Sequence, residues 1–369
     1  MEIEGKLSRS QTMLLVLGSS LGNIIYTFTD AVSIAGRAFW VAMIIGILLN
    51  IPFAVWILIL GSYKQGGSLF DLLEDGLGKA VCKCILIIYF LLNVIIAVSA
   101  LSLFTGAVKV FFLPRTPVLV IIFFIALICA IYANSGLKYF TRLIIILTIL
   151  CLTNYFGFYM VSFFTHFRIE YIIPVFDVSY TQFIKAVLMI AGNQAECLLF
   201  LTVIVGFIPQ TQKHYSAVIK GLFLWSIIES SADLILEGIE GHELLSGVAA
   251  SGISVASIIH AGSFFSGLEI LILVTYQYCA IVRVTVLLFS CWVAGKKFFN
   301  VSRGKPILIV SALLVVVASS WLSSYNRGFY LSVFLGNYII PAFIISFLLL
   351  CTVSVFVVKN RKGKIQNGN

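Results

Sequence analysis

Ten separate apolar runs, each near or above the roughly 20 residues a helix needs to cross a bilayer, constrain this 369-residue chain more than any other feature. They cover approximately 10–32, 38–60, 81–110, 117–134, 142–165, 180–207, 215–238, 264–293, 306–324 and 332–358. In a lipid core every backbone N–H and C=O must be satisfied inside the protein, so only helices and closed barrels cross it. A barrel strand alternates apolar and polar residues, and these runs are continuous; they predict helices. Composition agrees, at 61% hydrophobic and 11% charged, against roughly half and a quarter in a soluble domain. The expectation is an all-α integral membrane protein forming one membrane domain over 1–369. No gap between runs is large enough for a soluble domain. The segment 61–79, GSYKQGGSLFDLLEDGLGK, reads as a short amphipathic surface helix, and 165–179, THFRIEYIIPVFDVS, as a longer connection.

The net charge of +9 is scattered through short loops, which reads as topology rather than nucleic-acid binding. With the N-terminus cytoplasmic, the inner segments hold 17 Lys and Arg and the outer ones 6, Arg283 lying inside a helix and left uncounted. Positive charge collects on the cytoplasmic side, so both termini are expected there. Eight cysteines lie in or beside apolar runs without metal spacing or a disulfide framework. The polar, acidic N-terminus lacks a signal-peptide pattern. No Walker sequence and no Ser/His/Asp pattern is present, so neither an ATP-driven pump subunit nor an enzyme is expected, and no cofactor or metal.

Ten helices with inside termini divide as five plus five, 10–165 and 180–358, with the second half inverted. That plan is common in secondary transporters of the LeuT-like type, whose sites lie where the first helix of each half is broken. Helix 1 reads SQTMLLVLGSSLGN and helix 6 reads TQFIKAVLMIAGN. Each opens with a hydroxyl residue and Gln, then reaches Gly-Asn ten or eleven residues later, a depth of roughly 15–18 Å and near mid-bilayer. Breaks are therefore expected at Gly22-Asn23 and Gly192-Asn193. Freed N–H groups there suit a carboxylate and freed carbonyls a cation; the competing reading is that small residues only let helices pack closely.

Around these positions lie the candidate ligand-binding residues Ser19, Ser20, Gly22, Asn23, Gly192, Asn193 and Glu196, with Tyr276 from helix 8. A carboxylate at the depth of Glu196 costs at least a few kcal/mol, so it meets a ligand ammonium, carries a proton or is paired structurally. Glu229, Asp233 and Glu237 share a face of helix 7 at i, i+4, i+8 spacing, either an acidic vestibule or a helix leaving lipid early. Glu269, with His260, is a candidate gate at the start of helix 8. Asn93, Ser99 and Asn337 read as cavity-lining groups or ordinary interhelical hydrogen bonds.

The chain carries, in order, SRSQ before helix 1, AGRAFW (35–40), LPRTPVLVI (113–121), GLKYFTR (136–142) and Pro174 before helix 6. This order of landmarks resembles the spore germination permease family, the GerAB-like B subunits of nutrient germinant receptors, in the amino acid–polyamine–organocation (APC) superfamily. Departures are Ala38-Phe39-Trp40 in place of Asp-Ala-Trp, Glu269 without the family's preceding Arg, and Tyr276 in place of a Trp. The resemblance implies the ten-helix, 5+5 fold with helices 1 and 6 broken. It further implies a multi-pass protein of the spore inner membrane that binds a small, amino acid-like germinant and works with A-type and C-type partner subunits. The alternative within the superfamily is a free-standing proton- or sodium-coupled amino acid symporter.

Overall fold

The computed structural model describes residues 6–22, 29–64, 67–209, 212–247, 251–258, 269–301, 304–322 and 325–366, and no strand occurs among them. Among the described residues, six helical stretches are long and apolar enough to cross a membrane: Thr29–Ser62, Lys79–Phe111, Leu137–His166, Tyr180–Phe207, Ile270–Phe299 and Asn326–Arg361. Val118–Asn134 and Lys305–Trp321 are shorter apolar helices.

The chain opens with α1 (Arg9–Ser20), capped by a reciprocal pair: Ser8 Oγ accepts from the Gln11 N–H, and Gln11 Oε1 accepts from the Ser8 N–H. The same device starts α9 (Tyr180–Gln194), between Ser179 and Gln182. Two otherwise orphaned N–H groups are satisfied at each start. The Gln of each opening noted in the sequence therefore belongs to a capping box, whose hydroxyl partner, Ser8 or Ser179, lies two residues before the hydroxyl residue noted there.

The Thr29–Ser62 stretch is built of α2 (Thr29–Ala35), α3 (Phe39–Leu48) and α4 (Ile51–Ser62). The expected surface helix is present as α5 (Leu69–Leu77), which buries Leu69, Phe70, Leu72 and Leu73 and caps itself through Ser68 and Asp71. Gly78, at φ 92°, turns the chain directly into α6 (Lys79–Phe111), a conformation that only glycine adopts cheaply. Then come α7 (Val118–Asn134), α8 (Leu137–His166), α9 and α10 (Glu196–Ile204). The long α11 (Gln212–Gly247) bends at Gly241, where φ is 75°. After α12 (Ser251–Ile258), α13 (Glu269–Phe299) packs along α6, α7, α8 and α14 (Lys305–Trp321). The last helices, α15 (Tyr325–Phe334) and α16 (Ile340–Gln366), meet through a π turn at Leu335–Ile339, just before Pro341. A wide turn there is where a residue lacking an N–H is accommodated.

Every residue of α10 is buried, so this short helix forms the axis of the bundle. Large apolar side chains on α7 and α14 face outward instead, Phe124 at 58% and Val317 at 66% exposure, as lipid-facing surfaces do.

Candidate ligand-binding site

The sequence IAGNQAECLLF (190–200) joins α9 to α10, and each of its polar side chains is held by a different neighbour. Asn193 Nδ2 donates to Asn337 Oδ1 in the π turn at 2.5 Å and to its own helix at Met189 O. Gln194 Oε1 accepts from the Trp225 indole N–H of α11 at 3.1 Å. Asn50 donates its amide to the Ala191 carbonyl at 3.1 Å. The junction is a hub for the bundle.

Glu196 opens α10 and is held by Arg283 of α13. Arg283 Nε donates to Glu196 Oε1 at 3.0 Å and Nη2 to Oε2 at 2.6 Å, while Nη1 donates to the Gly22 carbonyl at 3.4 Å. Both side chains are buried, at 3% and 8% exposure. A bidentate guanidinium–carboxylate pair of this kind is short and strongly oriented. Desolvating both charges offsets much of its attraction, but losing one partner strands the other and costs about 3–5 kcal/mol. The pair therefore fastens three elements: the end of α1, the start of α10 and the middle of α13.

The two expected helix breaks differ. α1 stops at Ser20 and tightens through a 3-10 turn at Leu21 and Gly22; the other half of the expected break, Asn23, lies outside the described residues. The second helix runs on through Gly192 and Asn193 and is interrupted at Ala195, where Ala195 N–H donates to Gly192 O and Leu198 N–H to Ala195 O. Ala195 keeps helical dihedrals, φ −70° and ψ −7°, so this is a tightened turn rather than an unwound segment. Gly192 is used for close approach: a Cβ there would come within 2.6 Å of the Gly336 carbonyl and 2.9 Å of the Pro341 ring. The Gly-Asn that faces Gly192-Asn193 in space is Gly336-Asn337. At Gly22 an added Cβ would fall 2.7 Å from the Arg283 side chain, so this glycine makes room for the guanidinium stem.

The remaining candidates are dispersed. Ser19 and Ser20 are buried, and both donate to Val16 O, at 2.8 and 3.1 Å. Tyr276 is buried two turns along α13 from Arg283, with its hydroxyl against Gly252 of α12. Asn23 and His260 lie outside the described residues, as does the side chain of Glu269, whose backbone opens α13.

The acidic face of α11 is longer than its sequence spacing suggested, because Glu240 joins it. Glu229, Asp233, Glu237 and Glu240 are all buried. Tyr155 of α8 donates its hydroxyl to Glu229 at 3.3 Å. Both carboxyl oxygens of Glu237, and one each of Asp233 and Glu240, have no hydrogen-bond partner among the described residues. Burial rules out a helix that has simply left lipid for water. Near Glu237, Arg37 pairs with Asp177 at 3.7 Å.

Sequence reasoning missed Arg283 as a site residue, treating it only as a basic residue outside the topology count. The signal was present: a guanidinium midway along an apolar helix is as costly as the Glu196 carboxylate, and two such charges in one bundle satisfy each other.

Fold and site together define a polytopic, permease-like membrane protein with a polar hub at a helix discontinuity. A solved Na+-coupled sialic acid symporter, in a substrate-bound outward-open state, superposes with a TM-score of 0.63 over 96% of this chain and 88% of that chain, at 14% identity. At that identity the likeness shows the fold, a LeuT-like transporter architecture. Comparison with curated proteins gives no significant match. The family described as spore germination protein matches residues 6–327, and the chain belongs to this spore germination permease family.

Proposed function

We propose that this chain is the membrane-embedded, ligand-binding subunit of a spore germinant receptor. It acts in the spore inner membrane with A-type and C-type partner subunits. The observation that carries the site assignment is the Glu196–Arg283 pair at the α9/α10 discontinuity, reaching the Gly22 carbonyl. A small zwitterion such as an amino acid bears the same two charges as the pair. Its ammonium replaces Arg283 at Glu196, and its carboxylate replaces Glu196 at Arg283. Binding then exchanges an internal link for two ligand links and unfastens α10 from α13. A ligand shifts a conformational balance only by its differential affinity for the two states, and an exchanged ion pair supplies that difference.

In this reading ten membrane-crossing helices form two inverted halves, 10–165 and 180–358, with both termini cytoplasmic. The matching capping boxes of α1 and α9 support the repeat. The buried acidic face of α11, Glu229 to Glu240, serves as the vestibule that draws cationic and zwitterionic ligands inward.

The test is germination of a strain lacking the chain, complemented with wild type or Arg283→Gln, across a panel of amino acids, sugars and bile salts. Wild type restores the response to one ligand class, and Arg283→Gln does not when expression is adjusted to give equal membrane abundance. A wild-type dose–response from Arg283→Gln overturns the site assignment.

The second reading, a free-standing proton- or sodium-coupled amino acid symporter, is favoured by the likeness to a Na+-coupled symporter. Ion-dependent amino acid uptake by the purified chain in liposomes, without partner subunits, would select it.

A further inference from the structure

Far from the polar hub, an apolar groove of about 590 Å³ opens between α6, α13 and α14, with Leu86, Phe90 and Leu91 on one wall and Phe298, Ile307 and Val310 opposite. Leu91 and Val310 are half exposed, at 50% and 53%, so the groove opens outward between the helices. It lies toward the end of the bundle where α6 begins, α13 finishes and α14 begins. Between Lys83 and Leu91 the α6 wall rises about 12 Å at 1.5 Å per residue, long enough to seat part of an acyl chain.

Four lysines lie on the helix ends that form this part of the groove, and their partners separate them into two kinds. Lys297 is committed to α5, paired with Asp71 at 2.5 Å and with Glu74. Lys296 is buried, with its ammonium 4.3 Å from the Trp292 ring centroid. Lys83 and Lys305 are exposed, and neither has a carboxylate partner among the described residues. Lys83 holds its ammonium 5.6 Å from the ring of Phe298, itself a groove wall. Lys305 immediately precedes Pro306, another lining residue. One ammonium without a carboxylate partner among the described residues, that of Lys83, therefore stands over a wall of the elongated apolar slot, and a second exposed lysine, Lys305, adjoins its lining in sequence.

We infer that this groove is a binding site for an anionic glycerophospholipid, with its phosphate between Lys83 and Lys305 and an acyl chain along the wall from Leu86 to Leu91. Charge complementarity selects the occupant: a zwitterionic lipid brings its own cation to the same two ammonium groups, whereas an anionic headgroup meets them alone. Basic pockets between membrane helices recognise anionic headgroups in this way. The inference does not depend on which ligand the polar hub takes.

The test uses the full-length chain purified in mild detergent, with equal amounts of phosphatidylglycerol and phosphatidylcholine added, and reads retained lipid by native mass spectrometry. Wild type is expected to keep one phosphatidylglycerol in preference to phosphatidylcholine. Lys83→Gln with Lys305→Gln should lower phosphatidylglycerol retention about 30-fold, at about 1 kcal/mol per lysine, without changing phosphatidylcholine retention. Lys83→Arg with Lys305→Arg should restore it, which separates loss of charge from misfolding. Val310→Trp, filling the slot from an exposed position, should lower retention with the lysines intact. Equal retention of the two lipids by wild type overturns the inference, as does indifference to the Gln substitutions or displacement of the lipid by soluble glycerol phosphate.

Discussion

The Arg283 guanidinium grips both carboxylate oxygens of Glu196, at 3.0 and 2.6 Å, across 87 residues of chain. Neither group has water to fall back on, since both are buried. What the pair does is therefore separable from what it stabilises.

Glu196→Gln and Arg283→Gln should each destabilise the purified chain by about 3–5 kcal/mol, because each strands a buried charge. The double variant strands none and should recover much of that loss in thermal unfolding. If the pair also reads ligand, the double variant still fails to germinate at any germinant concentration that saturates wild type. Recovery of both stability and response would make the pair purely structural.

The glycines make a contrasting pair of predictions. Gly192→Ala drives a methyl into the Gly336 carbonyl and should cost about 1–3 kcal/mol by overpacking, read as lower membrane abundance with normal response per molecule. Gly22→Ala instead presses on Arg283 and should shift the germinant dose–response at normal abundance. The same phenotype from both would sink the distinction between a packing glycine and a site glycine.

Glu237 is fully buried, and neither carboxyl oxygen has a hydrogen-bond partner among the described residues. Glu237→Gln replaces the carboxyl by an amide of the same shape without breaking a hydrogen bond to any described residue, so the melting temperature should hold or rise. If the acidic face draws ligand inward, the response at low germinant falls and that at saturation does not. An unchanged low-concentration response would remove the vestibule role.

At the α5 surface, burial of the Asp71 carboxyl opposes ionisation. The Lys297 ammonium and the Ser68 N–H and hydroxyl outweigh it, holding the pKa below its ordinary 3.8. A carboxylate lowered on folding stabilises above its unfolded value and loses that contribution as pH falls through its folded one. The docking of α5 should therefore be flat from neutral pH to about pH 4–5 and weaken below 3.8. Thiol labelling of Leu73→Cys, on the buried face of α5, should accelerate only in that acid range. In Asp71→Asn it should be faster at neutral pH and lose the acid step. An acid step retained in Asp71→Asn would assign the transition to another group.

Topology is checked by reporter fusions. Both termini, 61–79 and 294–305 should report cytoplasm, and 165–179 and 239–260 the exterior. A C-terminus found outside would refute the ten-helix arrangement.

Local chemistry in the sequence was enough for what helices decide by themselves. Apolar runs of membrane length give the bundle, and Ser-x-x-Gln at 8–11 and 179–182 gives two helix starts. The pattern of α5 gives its buried face. The cost of a carboxylate in lipid marked Glu196 as a residue that needs a partner. Which partner was a tertiary matter. Glu196 meets Arg283 across 87 residues, and Asn193 meets Asn337 across 144. The helix runs through Gly192, which leaves room for the Gly336 carbonyl and the Pro341 ring of a distant segment, and the interruption falls three residues later at Ala195. Periodicity specifies which face of a helix is apolar, but the angle and height at which two helices cross are set by packing of the whole bundle. Those crossings, not the spacing along the chain, bring opposite charges into contact.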